Sequence, residues 1–490
     1  KDYSIVVLLA GALLVGFSMG RWLAPLAAWF GPVLIIRFVR DHDVGRGYLI
    51  LLPASILATA LGFLSIWLGG LPSSIVPFLL VGIGFLWTLP YLADRILSRW
   101  LAGFSSTLVY PLAATTLEFL IIHTNPLGTW GATGFTQYGV LPIMQLASVT
   151  GAIGITFLMG WFAATINWAW EHREQRAVVA RGAGVFGGAL ALVLLHGYVR
   201  LNMAPLSEAN GTMRVAGITA SSAEFLGEQM AESGAPSVTA PMMRPALQAH
   251  WDAYLEASAR EAQAGADLVM WPELMGVVEP GNEAEFMTKA QQVASQNGAY
   301  LLVPLGVFDP VSGTRLENKV TLLDPSGTVV LEHVKYGGHI IEGGRLGSGI
   351  LQTAATPFGV LSSVICYDMD YPAVIKQSGR NGTGLMLVPS SDWLEIDPIH
   401  TQMAVFRAIE NGMAMVRQTH GGRSIAVDAY GRVLAETDFF GATDRTLVAQ
   451  VPVEDVTTIY SLFGYWLEWL APVGLLFILA NGIRKGRKSA

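Results

Sequence analysis

The sequence predicts an α-helical transmembrane bundle carrying an extracytoplasmic α/β domain, and the distribution of charge along the chain is what predicts it. Charged residues are only 14% of the 490, well below the roughly 25% of soluble domains. The deficit lies at the two ends: about seven apolar stretches near the roughly 20 residues needed to cross hydrocarbon precede Leu201, and one more follows Tyr460. Between them Asp, Glu, Gln and Asn return, and strand-like runs alternate with amphipathic helical ones. Roughly 260 residues of that pattern suit one layered domain, and a four-layer αββα sandwich fits it.

The apolar stretches run approximately over 4–20, 22–39, 47–69, 74–93, 101–122, 141–169 and 183–199, with the last at about 464–483. The first has the length of a signal-peptide core but lacks a small-residue cleavage site and is followed by further spans, so it is read as a span. Arg37, Arg40 and Arg46 follow the second stretch, Arg95 and Arg99 the fourth, and Arg173, Arg176 and Arg181 the sixth. The alternate short loops hold no Lys or Arg apart from Arg21. Since basic residues in short loops stay cytoplasmic, the chain is expected to start inside and to deliver its central domain outside. The expected division is a membrane domain over 1–200, a catalytic domain over 201–460, and a closing helix with a basic cytoplasmic tail over 461–490. Net charge is −7, with no basic excess, which argues against a nucleic-acid partner.

In the central segment "TMRVAGITA" reads as a strand and "RPALQAHWDAYLEASAREAQAG" as a helix ended by glycine. Strand "ADLVMWPE", helix "NEAEFMTKAQQVASQNG", strand "AYLLVPLGVF" and the bent pair "NKVTLLDPSGTVVLEHVK" follow. After the glycine-rich loop 337–349 come the strand before Cys366, a helix at 372–379, strand "GLMLVPSSDW", helix "HTQMAVFRAIENG" and strands through "SIAVDAYGRVLAE". Met242 and Met243 read as flexible apolar surface or as core.

Cys366 is the only cysteine, so it makes no internal disulfide. Alone, a thiol ending an apolar run is more often a small core residue. Here Glu273 and Lys335 also end apolar runs, and an acid, an amine and a thiol in that order make Cys366 a candidate nucleophile. A thiol attacks only as thiolate, so Glu273 is expected to take its proton. The attacked carbonyl then becomes an oxyanion, for which Lys335 and the Tyr367 backbone N–H are the expected donors. The bland readings are a helix cap or surface acid for Glu273 and a solvated strand-end amine for Lys335. Glu118, an acid near the outer end of the fifth stretch, is either functional or held by a neighbouring helix. No metal cluster, Walker loop or dinucleotide fingerprint occurs, and no cofactor is expected.

Trp-Pro-Glu at 271–273, Lys335, Cys366-Tyr367-Asp368 and "FRAIENG" at 406–412 resemble the carbon–nitrogen hydrolase (nitrilase) superfamily. With "APLAAWFGPVLIIRFVRD" and "GFTQYGVLPIMQLASVTGAIGITFLMGWFAATIN" in the membrane region, the chain resembles the apolipoprotein N-acyltransferase family over nearly its whole length. The resemblance implies a nitrilase-like αββα domain with a Glu273–Lys335–Cys366 triad. It also implies a phospholipid acyl donor, the α-amine of a diacylglyceryl-cysteine lipoprotein as acceptor, and a place in the bacterial inner membrane with the catalytic domain on the periplasmic face. That family's Pro-Phe-Gly-Glu-Tyr stretch is replaced here by "GGHIIEGG", so its second essential glutamate falls on Glu342 by position, with a surface charge as the other reading. Tyr367, Asp368 and Trp393 are assigned as supporting or wall residues, and loop 337–349 as a lid. The competing expectation is a membrane-tethered amidase acting on a small extracytoplasmic amide.

Overall fold

The computed structural model describes residues 3–125, 128–203, 211–221, 238–338 and 342–488, with residues 224, 226, 228 and 229 besides. The chain forms two compact units, residues 1–203 with 463–490, and residues 204–462.

The first unit is helical: α1 (Ser4–Gly16), α2 (Pro25–Asp41), α3 (Val44–Gly70), α4 (Val76–Leu97), α5 (Val109–Thr124), α6 (Leu141–Met144), α7 (Ala147–Thr150), α8 (Ile153–Glu171) and α9 (Arg176–Met203), completed by the closing helix Trp466–Lys488. Among the described residues five helical segments are long and apolar enough to cross a membrane, at 44–70, 76–100, 103–124, 153–171 and 176–203. The stretch 141–169, expected as one span, is broken: Gly151 takes φ 73° after two short helices, a backbone state that stops the helix before α8. At one end of the unit Arg40 donates to both oxygens of Asp94, at 2.8 and 2.9 Å, and to Glu171 at 3.2 Å. The C-terminal ends of α2, α4 and α8, with the arginines that follow them, therefore lie together. Arg40 and Asp94 are almost fully buried there, so each charge relies on the other.

The second unit holds two sheets. Strands β1 (Thr212–Gly217), β2 (Leu268–Met270), β3 (Gly276–Val278), β4 (Tyr300–Phe308), β5 (Arg315–Leu323), β6 (Val329–Val334) and β13 (Leu447–Pro452) form one, in the order β13-β1-β2-β4-β5-β6 with β3 beside β4. The other has the order β12-β11-β10-β9-β8-β7, from β7 (Thr353–Thr356), β8 (Gly359–Ser363), β9 (Leu385–Ser391), β10 (Ala414–His420), β11 (Arg423–Val427) and β12 (Val433–Asp438). Within them β1-β2-β4 and β8-β9-β10 run parallel.

Alternation along each strand separates two cores. Val269, Leu301 and Val303 pack against Trp251 and Tyr254 of α10 (Arg244–Gln263) and Phe286 of α11 (Glu283–Asn297). Leu268, Met270 and Leu302 turn the other way and meet Leu361, Leu385, Leu387 and Val416 of the second sheet. The outer face of that sheet is covered by α12 (Ile399–Asn411), almost every residue of which is buried. The result is the expected helix–sheet–sheet–helix sandwich. Met243 belongs to the α10 core at 2% exposure, so the surface reading holds for Met242 alone, which is 63% exposed. The helix expected at 372–379 is two short ones, Pro372–Ile375 and Gln377–Asn381.

Candidate active site

Parallel strands bring chemistry to their carboxyl ends. Glu273 lies three residues past β2, Cys366 three past β8, Asp392 one past β9, and Lys335 one past β6. Glu273, Lys335 and Cys366 were each expected to end a strand-like segment and instead lie one to three residues beyond it. Cys366 opens a short 3₁₀ turn, Cys366–Asp370, with φ 45°. Leu274, next to Glu273, has φ 65°, and these two are the non-glycine residues with left-handed backbone among the described residues. Such strain costs on the order of 1–3 kcal/mol and persists only where the surroundings impose it. Here it marks the thiol and the neighbour of the acid.

Lys335 ties the acids together. Its Nζ donates to Glu273 Oε1 at 2.7 Å and to Glu342 Oε1 and Oε2 at 2.8 and 2.7 Å. Glu273 also accepts from Asn318 Nδ2 at 2.6 Å and, through Oε2, from the Ser391 backbone at 3.0 Å. Glu273, Lys335 and Cys366 are all buried. Burial opposes the charge on Lys335, but Glu273, Cys366 and Glu342 outweigh it and hold the ammonium above its ordinary range. Burial and then the Glu273 carboxylate push the Cys366 thiol up, against the pull of Lys335 and His400. Burial and Glu273 likewise raise Glu342, with Lys335 and Arg315 opposing. Burial thus favours the neutral thiol at Cys366, and three donors fix the geometry of the Glu273 carboxyl group.

A second cluster backs the sulfur. His400 places Nδ1 2.8 Å from Asp392 Oδ1 and Nε2 2.8 Å from Asp370 Oδ2. Arg417 donates to both oxygens of Asp392, at 2.8 and 3.0 Å, and its Nη2 lies 4.0 Å from Cys366 Sγ. Cys366, Asp392 and His400 offer donor atoms within 4.8 Å of one another. Both imidazole nitrogens are taken by carboxylates and Asp392 by a guanidinium, so the group is an ion-pair cluster and does not fit a metal.

Of the other residues singled out in the sequence, Asp368 is buried and accepts from His333 at 2.8 Å, from the Tyr336 and Gly337 backbone at 2.9 and 2.5 Å, and from the Ile365 backbone at 2.9 Å. It clamps the lysine segment to the cysteine turn. The Tyr367 ring packs 5.4 Å from His400, and Trp393 is 36% exposed. Glu118 belongs to the first unit, where its buried carboxyl group accepts from the Thr133 backbone at 2.9 Å and the Thr156 hydroxyl at 2.7 Å. Residues 339–341 of the expected lid lie outside the described residues. Asn318, Asp370, Asp392, His400 and Arg417 were missed as site residues. One trace existed in "AMVRQTH": an arginine that directly follows the apolar run Ala-Met-Val in a strand must, if buried, find an acid.

A family model described as carbon–nitrogen hydrolase matches residues 235–460, the range that holds every residue of this cluster. An apolipoprotein N-acyltransferase from Geobacter metallireducens is 24% identical over 78% of this chain and 75% of its own. One from Rhodopseudomonas palustris is 26% identical over 94% of this chain and 91% of its own. Among solved structures, an amidase from Nesterenkonia sp. covers 51% of this chain and 94% of its own at 22% identity with a TM-score of 0.40. Residues 235–460 therefore match the carbon–nitrogen hydrolase family, and the chain over most of its length resembles the apolipoprotein N-acyltransferases.

Proposed function

We propose that this protein is a membrane N-acyltransferase that moves an acyl chain from a phospholipid, through a thioester on Cys366, to the N-terminal amine of diacylglyceryl-cysteine lipoproteins. The observation that carries the reading is the buried Glu273–Lys335 pair, 2.7 Å apart, with both groups acting on a buried thiol in a chain rich in membrane helices. Glu273 takes the thiol proton as Sγ attacks the ester carbonyl carbon. The oxyanion is met by Lys335 and the Tyr367 N–H, and removal of one such donor typically costs about 100–1,000-fold. Collapse breaks the ester C–O bond, and the lysophospholipid leaves as an alcohol carrying the proton held by Glu273. The acceptor amine then attacks the thioester carbonyl, Glu273 takes its proton, and collapse to the amide returns that proton to the sulfur.

The short-loop arginines support a topology with the loops around Arg40, Arg99 and Arg176 in the cytoplasm and residues 201–460 outside. Both lipid substrates reach an outer-leaflet site by lateral diffusion, which a small soluble amide does not require. Intact-mass analysis after incubation with phospholipid alone tests the first half-reaction. Wild type gains one acyl mass and releases lysophospholipid, and Cys366→Ala gains none. Full turnover by Cys366→Ala would end this reading.

A further inference from the structure

The sulfur of Cys366 is faced from several elements at once. Glu273 and Lys335 approach from the ends of β2 and β6, His400 from the first turn of α12, Arg417 from β10, and Asp392 from the end of β9, its Oδ1 3.9 Å from Sγ. Asp392 presents little free charge to the sulfur, because Arg417 holds both its oxygens and His400 sits on one of them. Asp370 stands behind the imidazole, away from the thiol contacts, on Nε2. All four members of this cluster are buried. Each ring nitrogen has a carboxylate at 2.8 Å, and these two outweigh Arg417 Nη2, 3.1 Å from Nδ1, in favouring the imidazolium.

We propose that His400 and Arg417 stabilise Cys366 as the thiolate, so that with Lys335 they present three cations to the sulfur once its proton has passed to Glu273. The inference rests on Cys366 being the nucleophile of the reading above. The transfer conserves charge: the S–H bond breaks, the proton binds a Glu273 oxygen, and the electron pair stays on sulfur. Before it, the ionised Glu273 opposes a thiolate. After it, that anion is gone and the new one lies within 4.0 Å of Arg417. An opposite charge at about 4–6 Å lowers the pKa of a group by about 1–3 units, and cysteines paired with an imidazolium are the reactive ones in proteins generally. Burial works against the charge on His400, but Asp392 and Asp370 outweigh it and keep the ring protonated well above its ordinary range. Asp370 is thus a positioning residue that acts on the sulfur through His400.

The test uses full-length protein in detergent, without lipid substrate, and reads the rate of iodoacetamide alkylation against pH at its only cysteine. Replacing His400 by Gln (His400→Gln) is expected to move the alkylation midpoint upward by about one unit or more. Asp370→Asn, which frees the ring to lose its proton, is expected to move it the same way by less. Each variant is first shown to unfold cooperatively, and a variant that does not fold leaves the decision to the other. Profiles superimposed on wild type in the folded variants would overturn the proposal, since a purely structural role changes the melting temperature and leaves the midpoint in place. Alkylation reports the ionisation of the sulfur whether or not a lipid is transferred, so failure here is distinct from failure of the acyltransferase reading.

Discussion

Glu342 closes on Lys335 with both carboxylate oxygens, at 2.8 and 2.7 Å, from a loop seven residues further along the chain. The lysine consequently lies between two carboxylates, one buried on Glu273 and one about a quarter exposed on Glu342. An ammonium so held is fixed in direction, as the donor proposed for a developing oxyanion must be. Arg315 braces the outer acid through both its carboxylate and its backbone carbonyl.

Glu342→Gln is expected to keep the fold and lower the acylation rate by about 100-fold or more, the scale for a misplaced donor or reacting group. Glu332→Ala, an exposed residue on β6, should leave the rate within about twofold. Burst kinetics on phospholipid measure both. Equal rates in the two variants would reduce Glu342 to a surface charge.

Asn318 offers a narrower test. Its amide donates to the same Glu273 oxygen that Lys335 uses. Hydrogen bonds to charged groups contribute about 1.5–3 kcal/mol, so Asn318→Ala should slow acylation by roughly tenfold or more. The same variant should melt as a single transition. An unchanged rate would mean that Lys335 and the Ser391 backbone hold Glu273 unaided.

Cys366 and Glu273 follow apolar runs, and the carboxyl ends of parallel strands are where such sheets place their chemistry, whereas Lys335 follows β6, which pairs antiparallel with β5. What the runs did not show is the offset: Cys366 and Glu273 sit beyond their strands, on backbone strained at Cys366 and Leu274. Beyond the trace at Arg417, the Asp370, Asp392, His400 and Arg417 cluster was illegible for a different reason. Its members come from the cysteine turn, the end of β9, α12 and β10, and only the packing of the second sheet brings them within hydrogen-bond distance. The interruption of 141–169 was hidden too, since apolar content alone does not reveal a break at a single glycine.

Arg417 is fully buried, and removing one partner of a buried ion pair leaves the other uncompensated. Arg417→Met should therefore destabilise the second unit by about 3–5 kcal/mol at neutral pH. Burial pulls Asp392 upward, but Arg417 and His400 outweigh it and hold its carboxyl below the usual range. A depressed carboxylate contributes stability that is present above its unfolded pKa, about 3.9, and is lost as pH falls through the lower folded value. The gap between wild type and Arg417→Met should accordingly narrow below about pH 4. Denaturant melts across that range measure it, and a gap independent of pH would place the cost in packing instead.

The topology is open to direct labelling. In a Cys366→Ala background, a cysteine placed at the exposed Gln292 should react with a membrane-impermeant maleimide from outside intact cells, and one placed at Arg176 should not. The reverse pattern would invert the orientation.

Transfer rather than hydrolysis is the central claim, and discharge of the acyl-enzyme measures it most directly. Wild-type protein loaded with phospholipid should hold its acyl group in water. It should lose it rapidly to a diacylated lipopeptide with a free N-terminal amine, because a bound acceptor reacts at an effective concentration on the order of 10⁵ M or more. Mass spectrometry should find a third acyl chain on that amine, and an N-acetylated lipopeptide should leave the thioester intact. Rapid release of free fatty acid with no triacylated product, or ammonia from small amides at comparable rates, would contradict the account and favour a membrane-tethered amidase.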